Sequence, residues 1–367
     1  MIRFCLERGE DVSVISGAHQ EQMSVRKHWP LKNQSFSLYA KLKRKAEAFI
    51  RSYIYPLKFP YISEAQIEEL RAENFDLIIV EDLFLLPDAF AIADECAKVI
   101  FDAREYYPEE YGGNPIFRMI ERPFRVYLCK KYLPLCEQVM SVSDGLCRRY
   151  KQDFGVDVLL LRSAPPYVDY PVRKTEGAAI RMVHHGAANP DRRLETMIET
   201  MALLDERFSL DFYLTGNTAY LNELKAKAAP DRRIQFHDPV PFSDILPMLQ
   251  NYDIGFYLLQ PTGFNTEYAL PNKFFEFLQA RLMLAIGPSP DMAALIESYG
   301  CGIVAENFSP RSMAEKLNAL SAEDIHAAKQ ASDHAAKILC FEKESEKIAG
   351  LFDRLAPPEN QKRAVSA

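Results

Sequence analysis

The run Ala269-Leu270-Pro271-Asn272-Lys273-Phe274-Phe275-Glu276 brings together residue types that suit a phosphorylated ligand. Leu270-Pro271 ends a loop, and Asn272 is placed to cap a helix that continues through Ala280. A helix start offers free N–H groups and the positive end of the backbone dipole to an anion. Lys273 in the first turn is disfavoured by that same dipole, and a bound anion would offset the cost. Glu276 follows three residues later on the same face, where a carboxylate can accept both hydroxyls of a ribose. A capped helix with a solvated Lys–Glu pair fits the same residues, and the sequence leaves the two readings open.

Three further stretches carry polar residues in suggestive places. In Val183-His184-His185-Gly186-Ala187-Ala188-Asn189-Pro190-Asp191-Arg192-Arg193-Leu194-Glu195 a strand is expected to end in a small-residue turn before a helix. Ligands of open α/β sheets bind at such strand ends, and Arg192 or Arg193 can reach a diphosphate. A plain turn with surface arginines is the alternative, since the glycines do not follow Gly-x-Gly-x-x-Gly. His184 and His185 are neighbours on a strand and face opposite ways, so they are not expected to share a metal. In Phe101-Asp102-Ala103-Arg104-Glu105, charges crowd the end of an apolar run, and Glu81-Asp82 hold the equivalent place one strand earlier. These acids can serve as a base or bind sugar hydroxyls, or they can simply cap the next helix. Leu38–Tyr55 places Lys41, Lys43, Arg44, Lys45 and Arg51 among Leu42, Phe49, Ile50 and Ile54. That is a basic amphipathic helix, suited either to an anionic membrane surface or to solvent. No Gly-x-Ser-x-Gly, Walker-type or zincin motif is present.

Elements of a regular α/β pattern must position these groups. Strands are expected at Val12–Ser16, Leu77–Val80, Lys98–Asp102, Gln138–Ser143 and Val158–Leu161. A second set is expected at Ile180–His184, Leu210–Thr215, Ile234–Phe236, Ile254–Leu259, Met283–Ile286 and Gly302–Ala305. Most are continuous apolar runs, as in parallel strands buried on both faces, and helical stretches alternate with them. Ser163–Gly177 breaks the pattern with three prolines and a closing glycine, which reads as an interdomain linker. The expected division is therefore a first domain over 1–165, a linker over 166–178, a second domain over 179–340, and a terminal helix and tail over 341–367. Met1–Gly9 reads as the latter part of a helix running into Val12–Ser16. Either the chain starts downstream of the usual beginning, or the first domain lacks the opening strand and Gly-rich turn of a doubly wound sheet.

The chain of 367 residues, 48% hydrophobic, is long enough for two cores. Its formal charge of -7 argues against a nucleic-acid binder that works by bulk electrostatics. No apolar run approaches the roughly 20 residues of a membrane span, and the charged N-terminus is unlike a signal peptide. The seven cysteines include no Cys-x-x-Cys pair, which suggests free thiols in a reducing cytoplasm and no zinc site.

In order and spacing the sequence resembles the bacterial family-four retaining glycosyltransferases, which build surface polysaccharides. The strongest part is Asn251-Tyr252-Asp253-Ile254-Gly255, then Ala269 through Leu278, Met283-Leu284-Ala285-Ile286 and Tyr299-Gly300-Cys301-Gly302-Ile303-Val304. His185-Gly186, Asn189-Pro190-Asp191-Arg192, Asp102-Ala103-Arg104-Glu105, Ser141-Val142-Ser143-Asp144-Gly145 and Ser163-Ala164-Pro165-Pro166 support it. The resemblance implies the GT-B fold, two doubly wound Rossmann-like domains facing a central cleft. It implies transfer of a sugar from a nucleoside-diphosphate sugar to a glycan or lipid-linked acceptor, without a metal or other cofactor. The donor would meet Gly186, Ala187, Gly216, Tyr268, Ala269, Leu270, Pro271, Asn272 and Glu276. Lys273, Arg192, Asp82 and Arg104 would carry catalysis, with closure about Ser163–Gly177. The expected location is cytoplasmic, at the inner face of the membrane if the basic helix docks there. Several positions depart from the family pattern. Tyr268 stands where the first glutamate of Glu-x7-Glu belongs, Ala187 where an arginine is usual, Arg104 where a histidine is usual, and Ser163 where an asparagine is usual. Those departures keep two rivals open: a non-catalytic GT-B binding protein and a nucleotide-sugar epimerase.

Overall fold

The structure, a computed structural model, describes residues 1–17, 24–31, 62–176 and 178–355. The basic stretch Leu38–Tyr55 and the tail from Ala356 lie outside the described residues. The chain forms two compact units. Met1–Ser141, Cys147–Leu159 and Leu351–Ala367 make the first, and Val142–Leu146 and Leu160–Gly350 make the second.

In the first unit the helix Ile2–Glu7 leads into β1 (Ser13–Ser16), which pairs in parallel with β2 (Lys27–Pro30). A second sheet holds β3 (Leu77–Val80), β4 (Lys98–Ala103), β5 (Gln138–Ser141) and β6 (Val158–Leu160) in that spatial order. Val99 through Ala103 of β4 are all buried, as a continuous apolar run requires. Strand β2, Lys-His-Trp-Pro, carries no apolar run and was not expected. Tertiary contacts hold it instead: Trp29 is buried beside Ile67 and Leu70 and donates from Nε1 to Glu69 at 2.9 Å.

The second unit is built on one parallel sheet of β7 (Ile180–Ala188), β8 (Phe208–Gly216), β9 (Ile234–His237), β10 (Ile254–Tyr257), β11 (Met283–Ile286) and β12 (Gly302–Val304). Their order is β12-β11-β10-β7-β8-β9. The chain winds outward from β7 to β9, returns to β10 and winds the other way. The switch point lies between β7 and β10, where doubly wound sheets open a crevice for ligands. β7 is longer than expected and runs past Gly186 to Ala188. The reason is cross-strand pairing: the ladder with β8 continues through Ala187↔Thr215 and Ala188↔Gly216.

The stretch Ser163–Gly177 has no regular secondary structure over its described residues, yet it is fastened along the second unit. Pro165 accepts from the Phe341 amide, Val168 exchanges bonds with Gln279 and Arg281, and Thr175 donates to Asp253. Ala164 is buried in the apolar cluster of Phe274, Phe275 and Leu339. The four points where the chain passes between units are Ser141/Val142, Leu146/Cys147, Leu159/Leu160 and Gly350/Leu351. The terminal helix Phe341–Leu355 belongs to the second unit up to Gly350. Its last turn joins the first, where Phe352 meets Phe4 edge-on at 5.8 Å.

Two glycines let the second sheet take its neighbours at close range. A Cβ on Gly302 would stand 2.1 Å from the Leu284 carbonyl oxygen. A Cβ on Gly255 would stand 2.3 Å from Cγ of Phe277, so the helix Asn272–Gln279 lies flush on β10. Gly255→Ala should push that helix outward. The expected cost is about 1–3 kcal/mol, the usual penalty for overpacking, read from urea unfolding. An unchanged midpoint would show that the helix is not seated by that contact.

Candidate functional site

The helix Asn272–Gln279 starts after the loop that follows β10, at the switch point. Pro271, not Asn272, occupies its N-cap position, and no side chain caps the helix. Proline has no side-chain acceptor, and Asn272 is already helical and exposed. The expected asparagine cap is therefore absent. Its absence leaves the first-turn amides without a side-chain acceptor, which is the condition an anion needs.

Lys273 and Glu276 do not form a solvated pair. Each is only 6% exposed. The Lys273 ammonium donates to the His185 carbonyl at 2.7 Å and lies 4.8 Å from the centre of the Tyr257 ring. Burial pushes its pKa down to about 7, the Arg192 charge adds to the fall, and the Glu276 charge opposes it.

Gly186 makes room for this ammonium. Its φ is +127°, a left-handed conformation that favours glycine. A Cβ at Gly186 would lie 2.7 Å from Lys273 Nζ and 4.0 Å from Arg192 Nη1. The two cations therefore both come close to Gly186 near the end of β7. Arg192 is half-buried at the end of a short 3₁₀ turn, Pro190–Arg192, which Asn189 caps through the Asp191 amide. It has no carboxylate partner among the described residues. Arg193, the other arginine considered, faces away: it donates to Gln260 at 2.6 Å and is exposed.

Glu276 sits one turn beyond Lys273, with Oε2 3.2 Å from His185 Nε2. No hydrogen-bond donor among the described residues engages its carboxylate, and His185 Nε2 is buried without an aligned partner. His184, on the opposite face of β7, bonds the Phe256 carbonyl through Nδ1 at 2.9 Å and stacks on Tyr257. Burial, helped by the Lys273 charge, holds its pKa well below the ordinary value, so it stays neutral. The sequence weighs His185 only as a metal ligand beside His184 and as part of the family pattern, and gives Tyr257 no role. Tyr257 ends a buried strand beside the switch point, a position that could have marked it.

The remaining donor-side positions fall around this centre. Ala187 is exposed and Gly216, at φ +104°, ends the neighbouring strand in register with Ala188. Ala269 is half-buried, and Leu270 is buried in the core under the helix. Tyr268 follows the short helix Phe264–Glu267 and tilts against Phe264 at 4.8 Å. Its ring occupies the space a side chain at Gly145 would need, since a Cβ there would lie 2.0 Å from Tyr268 Cδ1. Tyr268 is thus a packing surface, and its ring cannot supply the charge a glutamate would.

In the first unit, the ends of β3 and β4 gather a separate polar group. Asp102 is 7% exposed, and burial raises its pKa to about 6, with Arg104 opposing and Glu81 adding to the rise. Arg104 pairs with Glu81 at 2.8 Å and stands 3.8 Å from Asp102. Asp82 accepts from the Phe84 amide at 2.8 Å and so caps the short turn Leu83–Leu85. Of the two readings of these acids, capping describes Asp82, while Asp102 and Glu81 form the charged group with Arg104.

No family profile matches the sequence, and no curated protein matches it. Its structure is nevertheless similar to solved glycosyltransferases. HepE of Anabaena, in complex with UDP and glucose, superposes with a TM-score of 0.67 at 12% identity over 96% of this chain and 94% of its own. WaaG, a glycosyltransferase involved in lipopolysaccharide biosynthesis, gives 0.63 at 14% identity over 95% and 93%. TarM of S. aureus, in a complex with fondaparinux, alpha-GlcNAc-glycerol and UDP, gives 0.63 at 14% identity over 78% of this chain, which spans only 58% of TarM. The fold is therefore the GT-B fold of these glycosyltransferases, with two Rossmann-like units.

The titration of Lys273 gives a test of the anion site. In the free protein its ammonium loses its proton through about pH 7. A bound diphosphate favours the charged form, so binding above pH 7 takes up a proton. Affinity for a nucleoside diphosphate should then fall by up to about tenfold per pH unit from pH 7 to 9. Calorimetry in buffers of different ionisation enthalpy should show uptake of about one proton at pH 8.5. Lys273→Met should remove that uptake, and a pH-independent affinity in the wild type would exclude the role.

Proposed function

We propose that the protein is a retaining glycosyltransferase. It moves a hexose-type sugar from a nucleoside-diphosphate sugar to a hydroxyl of a glycan or lipid-linked acceptor in building a bacterial surface polysaccharide. The observation that carries this is that Lys273 Nζ and Arg192 Nη1 both approach Gly186, with the buried carboxylate of Glu276 one helical turn beyond Lys273. Two cations suit a diphosphate, and a carboxylate without a protein donor suits the two hydroxyls of a ribose. The GT-B neighbours support the reading, since HepE and TarM were each solved with UDP.

In the reaction the bond from the anomeric carbon to the diphosphate oxygen breaks, and the acceptor oxygen bonds to that carbon. The acceptor proton leaves with the diphosphate or passes to solvent. The developing charge on the leaving diphosphate is met by Lys273, Arg192 and the uncapped helix start. Protein groups thus supply the stabilisation, and the proposal calls for no metal or organic cofactor. The acceptor is assigned to the first unit, where Asp102, Glu81 and Arg104 offer partners for sugar hydroxyls. The reading places the work in the cytoplasm, with the donor; contact with a membrane would fall to the basic stretch Leu38–Tyr55.

Glu276→Ala should weaken binding of a nucleoside diphosphate by about 10–100-fold, the range for a lost charged hydrogen-bond partner. Calorimetry with UDP, ADP and GDP measures it, and equal affinity in both proteins would remove Glu276 from the ribose site. Release of nucleoside diphosphate from a donor panel, with acceptor absent and present, separates a transferase from a binding protein. Conversion of the donor sugar without its release would point to an epimerase.

A further inference from the structure

We infer that His185 is the positioning residue of the donor site, setting the Glu276 carboxylate for the ribose. The inference rests on the donor-site reading above and adds to it a residue outside the motif that suggested it. His185 is the last residue before Gly186 on β7 and is 8% exposed. It touches both halves of the site. Its carbonyl receives the Lys273 ammonium at 2.7 Å, and its ring turns Nε2 to within 3.2 Å of Glu276 Oε2.

The ring has little freedom. Phe277, the residue after Glu276, meets it edge-on at 5.5 Å with an interplanar angle of 87°. Held by Phe277, the imidazole stands beside the Glu276 carboxylate. Yet Nε2 lacks the alignment of a hydrogen bond and is a buried polar atom without a partner. Leaving such an atom unsatisfied is costly, so the site favours any change that gives it a partner. A modest turn of the Glu276 carboxylate would close the bond to Nε2. That turn would leave the other oxygen of the carboxylate for the ribose hydroxyls. The arrangement is unfinished in the free protein, and the ligand completes it.

Packing alone would also place a flat ring between β7 and the helix. The two roles differ in one measurable respect. A packing residue supports the whole nucleotide, whereas a residue that orients Glu276 supports only the ribose hydroxyls.

The test is a comparison of ligands across variants. Dissociation constants would be measured for whichever of UDP, ADP and GDP binds the wild type best, and for its 2′-deoxy and 3′-deoxy forms. Wild type is expected to favour the ribose form by about tenfold. His185→Phe keeps the ring and the edge contact but removes the nitrogen; its preference should fall to threefold or less. His185→Gln restores an N–H and should recover most of the preference, and it also serves if the phenylalanine variant does not fold. An undiminished preference in His185→Phe, with all ligands weakened alike, would reduce His185 to a packing role and leave the donor site intact. If the wild type bound no nucleoside diphosphate, the donor-site reading would fail, and this inference with it.

Discussion

The buried ammonium of Lys273 is the constraint around which the second unit is arranged. Withdrawing a charge from water costs several kcal/mol after relaxation, unless partners repay it. Here the free protein repays part: one carbonyl bond from His185, the face of Tyr257, and the field of Glu276 one turn away. Arg192 works in the opposite direction, because its charge lowers the Lys273 pKa further. A fold that only needed stability would not set a second cation beside the first. The two together make sense for an anion carrying more than one charge, and the uncapped helix start faces the same demand.

That constraint explains several backbone choices that look unrelated in sequence. Gly186 takes a φ of +127° that favours glycine, and its missing side chain leaves the ammonium its place. The helix that carries Lys273 must lie close against β10, so Gly255 yields to Phe277. Phe277 then stands edge-on to His185, whose carbonyl receives the ammonium. Each element closes on the next: strand, glycine, lysine, helix, phenylalanine, histidine. The first unit has a looser counterpart. Asp102 is buried and carries a raised pKa, while Arg104 and Glu81 pair above it near solvent.

Much of this was legible in the sequence, and the failures have physical reasons. Continuous apolar runs gave away β3 and β11 to the residue; β11 is buried on both faces, which leaves no other pattern, while β3 is largely half-buried. The length of β7 was not legible, since Gly186-Ala187-Ala188 reads as a turn until β8 is there to pair with it. β2 was invisible for the same reason: its stability lies in Trp29 and partners some forty residues away. Asn272 was misread as a cap because sequence places a helix start only to within a residue or two, and that uncertainty decides which side chain caps. His185 was set aside when the two histidines were weighed as metal ligands. Its carbonyl and ring contacts depend on where a helix ninety residues later comes to rest.

The departures from the glycosyltransferase pattern can now be separated by what they touch. Arg104 in place of histidine belongs to the first unit, paired with Glu81, and Ser163 in place of asparagine lies in the segment fastened along the second unit. Tyr268 is different, because it takes the place of a charged residue and gives a ring that packs over Gly145. A glutamate there would add a second negative charge near the donor site; the tyrosine adds none. On the proposed reading, with no charge at Tyr268, the ribose contact falls to Glu276, and its orientation would matter more than in a site with two carboxylates. A histidine held in place beside it, against Phe277, is what such a site would need. On the proposed reading, Tyr268 and His185 would then be two parts of one arrangement: fewer acids at the donor, and tighter control of the one that remains.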